Sequence, residues 1–199
     1  LKLNSSYYLS TDVVGLSRDL IGKYLFTHQN GALTGGKIVE TEAYAGVYDK
    51  ACHARGGLRT RRTEIMYQHG GVGYVYLCYG IHNLFNVITG PVDVPHAILI
   101  RAVEPVVGVE HIMARRGHEK LKRNTAGGPG LVCQALGIEK DHNGVDLTEE
   151  TIWIEDRGEK YSSSTIISGK RVGIGYAGED ADKPYRFRLS NSGYTSPAK

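Results

Sequence analysis

The chain has 199 residues, enough for one well-packed domain and short for two, and its 41% apolar and 23% charged residues are ordinary for a globular fold. A net charge of +3 does not by itself argue for a polyanionic partner, so the placement of the basic residues matters more than their sum. Cys52, Cys78 and Cys133 are odd in number and lack a Cys-x-x-Cys spacing, which argues against a disulfide framework or a cysteine zinc site. No apolar run is long enough for a bilayer and no leader with a small-residue cleavage site opens the sequence, so the expected setting is reducing, without a membrane.

Ser10 or Thr11 is placed to cap a short helix with apolar Val13, Leu16 and Leu20 at helical spacing and Gly22 as its stop. Lys23 to Thr27 and Thr34 to Ala43 read as strands around Gln29-Asn30-Gly31, where Asn-Gly is a strong hairpin signal. The second strand carries two carboxylates. Period-two alternation puts Ile38, Glu40, Glu42 and Tyr44 on one face, with the carboxylates about 6.6 Å apart along the chain. Glutamates that interact with one another and are partly buried suit general-base work; the plainer alternative is a solvent face bearing two ordinary glutamates.

The stretch from His53 to Arg62 has no period, four arginines and a glycine pair, and reads as a basic loop suited either to solvent or to phosphate. Tyr74 to Tyr79 and Asn83 to Thr89 then form a hairpin through Gly80-Ile81-His82, with Tyr74 and Tyr76 on one face. Tyr79 sits at the tip, where a large ring has no core to fill but has the shape of a wedge between base steps. His96 to Glu104 is a strand, apolar until Arg101, which calls for a carboxylate partner. Val107 to Arg116 reads as a helix leading into a second basic cluster, Arg115, Arg116, Lys120, Lys122 and Arg123. Thr125 to Gly130 is a turn that delivers a helix over Leu131 to Leu136, with Gly137 as stop and amides at its start able to hold an anion. Thr151 to Glu155, Lys170 to Ile174 and Tyr185 to Leu189 complete the strands, and no internal repeat appears.

Seven segments in order carry a specific resemblance: Ile38-Val39-Glu40-Thr41-Glu42-Ala43-Tyr44; His53 with Arg55-Gly56-Gly57; Tyr74-Val75-Tyr76 with Tyr79-Gly80 and Asn86; Leu99 to Pro105; Cys133-Gln134-Ala135-Leu136; Arg171 to Gly175; and Lys183-Pro184. Together they cover almost the whole chain and resemble the alkyladenine (3-methyladenine) DNA glycosylase family. The resemblance implies an enzyme that flips a damaged purine out of duplex DNA and hydrolyses its N-glycosidic bond, leaving an abasic site. It implies a monomer without metal or cofactor, cytoplasmic in a bacterium or nuclear in a eukaryote, and a monofunctional reaction with water as nucleophile.

Carried over by position, Glu42 is the base that activates water, helped by Arg101 and the main-chain carbonyl of Val172. Tyr44, His53 and Tyr76 with Ala51 form the base pocket, Asn86 excludes guanine through its 2-amino group, and Tyr79 is the wedge. Thr60, Arg62, Arg55, Gly127 and Gly128 touch the DNA backbone. The departures are Leu131 in place of a phosphate-touching lysine, Leu58 where the human member has arginine, and Tyr176 in place of a histidine, with Arg55, Arg59 or Arg61 available to compensate. The implied fold is one mixed α/β (α+β) domain spanning 1–199, a curved, mostly antiparallel sheet with peripheral helices and a protruding hairpin. Two other classes remain: a non-catalytic lesion binder that tolerates loss of Glu42, and a metalloenzyme using Glu40, Glu42, His53 and His82, which chelators would inhibit.

Overall fold

The computed structural model describes residues 1–197. After α1 (Ser5–Tyr8), Asp12 caps α2 (Val13–Asp19) by accepting from the Gly15 amide at 2.8 Å. The cap is therefore Asp12 rather than Ser10 or Thr11, because the acidic oxygen is the one within reach of the amide of the third helical residue, in the first turn. β1 (Tyr24–Gln29) and β2 (Ala32–Tyr44) form the expected hairpin, with Asn30 and Gly31 both at positive φ (51° and 74°), as a tight primed turn requires.

β3 (Gly73–Cys78), β4 (His82–Thr89) and β5 (His96–Val107) follow, then α3 (Val109–Arg116), α4 (Pro129–Leu136), β6 (Ile152–Glu155), β7 (Ile166–Gly169) and β8 (Arg186–Leu189). The strands pair antiparallel in the order β3-β4-β5-β2-β1-β6, and β8 joins β2 and β7. This is the curled α+β sheet that the resemblance implies, with the antiparallel pairing that the hairpin signals call for. β2 is the axis. Along one edge it pairs with β5; along the other it pairs with β1 up to Lys37 and with β8 from Glu40 to Glu42. The sheet thus forks beside the two glutamates. Register shifts against β5 fall at Ile38/Glu40 and Glu40/Thr41, and such bulges bend a strand and re-aim its side chains.

Both faces of β2 are covered. Thr41 points to α2, donating its hydroxyl to the Ser17 carbonyl at 2.7 Å, while α4 packs across β4 and β5. Ile38, Val39, Leu25, Phe85, Ile98, Ile100, Ile112, Val132 and Leu136 are fully buried together and make the main core. Burial at about 25 cal/mol per Å² makes this cluster the dominant favourable term. A smaller cluster of Cys52, Ala54, Met66, Tyr67, Tyr74 and Ile88 backs the aromatic end of the hairpin.

One expectation is corrected here. Lys170 to Ile174 is not a strand: it is irregular chain, with Gly173 at φ 74°, entering a 3-10 segment at Gly175–Asp182. The Val172 amide is bonded to the Glu42 side chain, so it is taken out of any ladder. The strand preceding it lies earlier, at Ile166–Gly169. Arg115 and Arg116 of the second basic cluster are structural, Arg115 donating to Thr34 and the Ala135 carbonyl and Arg116 to the Thr125 and Asn124 carbonyls.

Candidate active site

The two glutamates of β2 have different environments although both are fully buried. Glu40 accepts from Arg101 Nε at 2.9 Å, Arg186 Nε at 2.8 Å, and Ser196 through its amide at 2.6 Å and its hydroxyl at 2.9 Å. A carboxylate enclosed by four donors is a structural anchor for the end of the chain. Glu42 accepts from the Val172 amide at 2.8 Å and the Tyr44 hydroxyl at 2.8 Å, with Arg101 Nη1 at 3.4 Å. Every partner is a donor, so both carboxylate oxygens are met by groups that donate to them. Glu40 and Glu42 supply the carboxylate partners that Arg101 calls for in its apolar strand, and its guanidinium bridges the two. Burial works against the Arg101 charge, yet Glu42 and Glu40 raise its proton affinity above the ordinary value.

Tyr44, Arg101 and Val172, all touching Glu42, line a cavity of about 500 Å³. That lies within the roughly 300–1,000 Å³ usual for small-molecule pockets. His53, Tyr74, Tyr76, Asn86, Ala51 and Tyr176 form further walls. The Tyr76 ring lies 5.3 Å from that of Tyr74, and His53 meets Tyr76 edge-on at 4.7 Å. The Asn86 amide donates to the Tyr74 carbonyl at 3.2 Å, fixing the side chain in the wall. Tyr44 is held protonated, first by burial and then by the Glu42 charge, which push its pKa well above the ordinary value.

His53 has both ring nitrogens occupied: Nδ1 lies 3.0 Å from the Tyr74 hydroxyl and Nε2 lies 3.4 Å from Arg62 Nη2. A guanidinium only donates, so Nε2 accepts and the network assigns the proton to Nδ1. Burial, then Arg62 and Arg55, pull the imidazole pKa down to about 4, so the ring is neutral in a cell.

The loop carrying Val172 is pinned from behind. Arg171, buried, grips both Asp49 carboxylate oxygens, one at 2.9 Å, and donates to the Ala43 carbonyl at 2.8 Å and the Asp180 carbonyl at 3.0 Å. Its guanidinium also lies 4.9 Å from the Tyr44 ring. Neither Asp49 nor Arg171 is singled out by residue type or spacing in the sequence.

Tyr79 is 90% exposed in the left-handed region at φ 51°, between exposed Leu77 and Ile81, at the tip of the β3–β4 hairpin. Arg55, Thr60, Arg61 and Arg62 lie exposed on the loop beside it. Arg62 is folded onto the cavity wall, 4.8 Å over the Tyr76 ring, with Nε 3.3 Å from the Tyr74 hydroxyl. Arg59 is engaged by Glu64 and Asp93, so of the three arginines set against Leu58 it is the committed one. Gly127 is buried in a bridge to Ala102, while Gly128 caps α4 and is half-buried. Leu131 lies in the first turn of α4, and Tyr176 closes over the cavity by donating to the Ala51 carbonyl at 3.3 Å. Among the described residues no group of three or more His, Cys, Asp or Glu side chains is arranged to hold a metal ion.

Comparison with known proteins decides the family. The model of the family described as methylpurine-DNA glycosylase (MPG) matches residues 7–193. The chain belongs to that family. It is similar to a Chlamydia pneumoniae protein named "Putative 3-methyladenine DNA glycosylase", with 46% identity over 189 residues, covering 94% of this chain and 95% of the relative. Proteins of the same name from Desulfitobacterium hafniense and Clostridium novyi are 42% and 39% identical, each over 98% of both chains. The hairpin, the cavity and both glutamates all fall inside the matched span. No helix among the described residues is long and apolar enough to cross a membrane.

Proposed function

We propose that this family member is a monofunctional DNA glycosylase of base-excision repair, acting as a single chain on duplex DNA that contains damaged purines such as 3-methyladenine and hypoxanthine. The observation that carries the reading is the Glu42 carboxylate buried just beneath the floor of an aromatic cavity, in contact with the lining residues Tyr44, Arg101 and Val172. Tyr79 enters the stack and fills the space of the extruded nucleotide, offsetting an unstacking cost of a few kcal/mol. Arg55, Thr60 and the half-buried Gly128 at the start of α4 hold the flanking backbone, while Gly127, buried in its bridge to Ala102, only shapes the turn.

With the purine against Tyr44, His53 and Tyr76, a water between Glu42, Arg101 and the Val172 main chain attacks the sugar C1′. Glu42 takes the water proton as the C1′–N bond breaks, and the bonding pair leaves with the base. A cationic alkylpurine departs neutral, whereas hypoxanthine requires a proton as it leaves. Asn86, fixed in the wall, excludes guanine by its 2-amino group.

The test is a hypoxanthine-containing duplex incubated with the protein and then cleaved with alkali. Strand scission at the lesion supports the reading; intact strands after saturating protein has bound refute it and favour a non-catalytic lesion binder. Borohydride trapping of a covalent adduct would replace water with an amine nucleophile.

A further inference from the structure

The charges around the cavity are one-sided. Arg62 and Arg101 are the charged side chains lining it, and no carboxylate lines it directly. Arg101 is balanced by Glu40 and Glu42 beneath the floor, but Arg62 has no carboxylate within ion-pair distance among the described residues. Instead its guanidinium rests on the Tyr76 face and bonds the Tyr74 hydroxyl and His53 Nε2. Its three anchors are uncharged, since Tyr74 and Tyr76 have raised pKa values and His53 a lowered one.

We propose that Arg62 sets the charge selectivity of the base pocket, weighting it toward neutral damaged purines over cationic ones. The attraction of an aromatic cage for a cation comes from the ring faces, and at Tyr76 that attraction is already taken by the protein's own guanidinium. A purine bearing a positive charge meets an unbalanced cation on the wall, while a neutral purine stacks against the same planar group at no electrostatic cost. This rests on the glycosylase reading and adds to it a residue that decides between two substrate classes.

The experiment measures single-turnover base release at fixed ionic strength by the wild-type chain, Arg62→Gln and Arg62→Lys. The substrates are a hypoxanthine duplex and a dimethyl-sulfate-treated duplex from which 3-methyladenine is quantified. Arg62→Gln is expected to raise the 3-methyladenine to hypoxanthine rate ratio by about fivefold or more, and Arg62→Lys to keep it near wild type. Arg62 is exposed, so matching melting curves for the three proteins are expected. An equal slowing of both substrates in Arg62→Gln, with the ratio unchanged, would make Arg62 a phosphate anchor and overturn the proposal, as would a fall in the ratio. No release of either base by the wild type would instead overturn the glycosylase reading, and this proposal with it.

Discussion

Replacing Arg171 by alanine tests how the loop that presents Val172 is held. The guanidinium makes two bonds to Asp49 and one each to the Ala43 and Asp180 carbonyls, all buried. Its loss leaves the Asp49 carboxylate with the Ala45 and Ala51 amides, each at 3.0 Å, but without a counter-charge. Breaking a buried pair from one side costs about 3–5 kcal/mol. For a chain of this size each kcal/mol lowers Tm by roughly 2–4 °C, so a fall of about 10 °C is expected in a circular dichroism melt. Asp49→Asn combined with Arg171→Ala should cost less than the sum of the two singles, because each single strands the other's charge. The same variant unpins the Val172 amide from Glu42, and a displacement of about 1 Å near reacting groups is worth up to roughly a hundredfold in turnover. A melt within about 2 °C of wild type, well below the shift expected for a broken buried pair, would refute the clamp.

Tyr79→Ala should leave the melting curve unchanged, since the ring buries nothing, and lower excision from duplex DNA by about tenfold or more; unchanged excision would remove the wedge. Glu40→Gln should act mainly on stability, costing about 3–5 kcal/mol by removing the buried negative charge that Arg101 and Arg186 both engage, and a melt like wild type would show that Glu40 is no anchor. Stability should also fall with acid through His53. Its folded pKa is depressed to about 4 from 6.5, so the unfolded chain binds the proton more readily between those values. The contribution is complete above pH 6.5 and is lost as pH falls through 4, at most about 3 kcal/mol given the ring's partial exposure. In urea titrations at pH 4 and 7, His53→Gln should show a smaller pH-dependent loss than wild type; an equal loss assigns it to other groups.

Much of the frame was legible because local chemistry and tertiary need agree in it. Asn30-Gly31 set the hairpin, the near-continuous apolar run before Arg101 set β5, and Gly137 ended α4 at φ 70°. What escaped was set by distant partners. Val172 and Ile174 alternate with polar residues like a strand, yet the Val172 amide bonds a side chain 130 positions away. β7 was hidden in a serine-rich stretch because an edge strand paired only with β8 needs little apolar patterning. Glu40 and Glu42 look equivalent in the sequence; what separates them is Arg186 and Ser196, which close over Glu40 from the far end of the chain. The resemblance pointed to the Val172 carbonyl, whereas the contact visible beside Glu42 is the amide of the same residue.

The central claim is that the Glu42 carboxylate, and no other group, draws the proton from the attacking water. Glu42→Gln keeps the size of the side chain and one acceptor oxygen for the Val172 amide, turns the acceptor facing the Tyr44 hydroxyl into a donor, and removes the charge. The decisive measurement is single-turnover release of hypoxanthine from a saturated duplex by this variant beside wild type. The account expects undiminished lesion binding with release slowed by about 10²-fold or more. Release at close to the wild-type rate would contradict it.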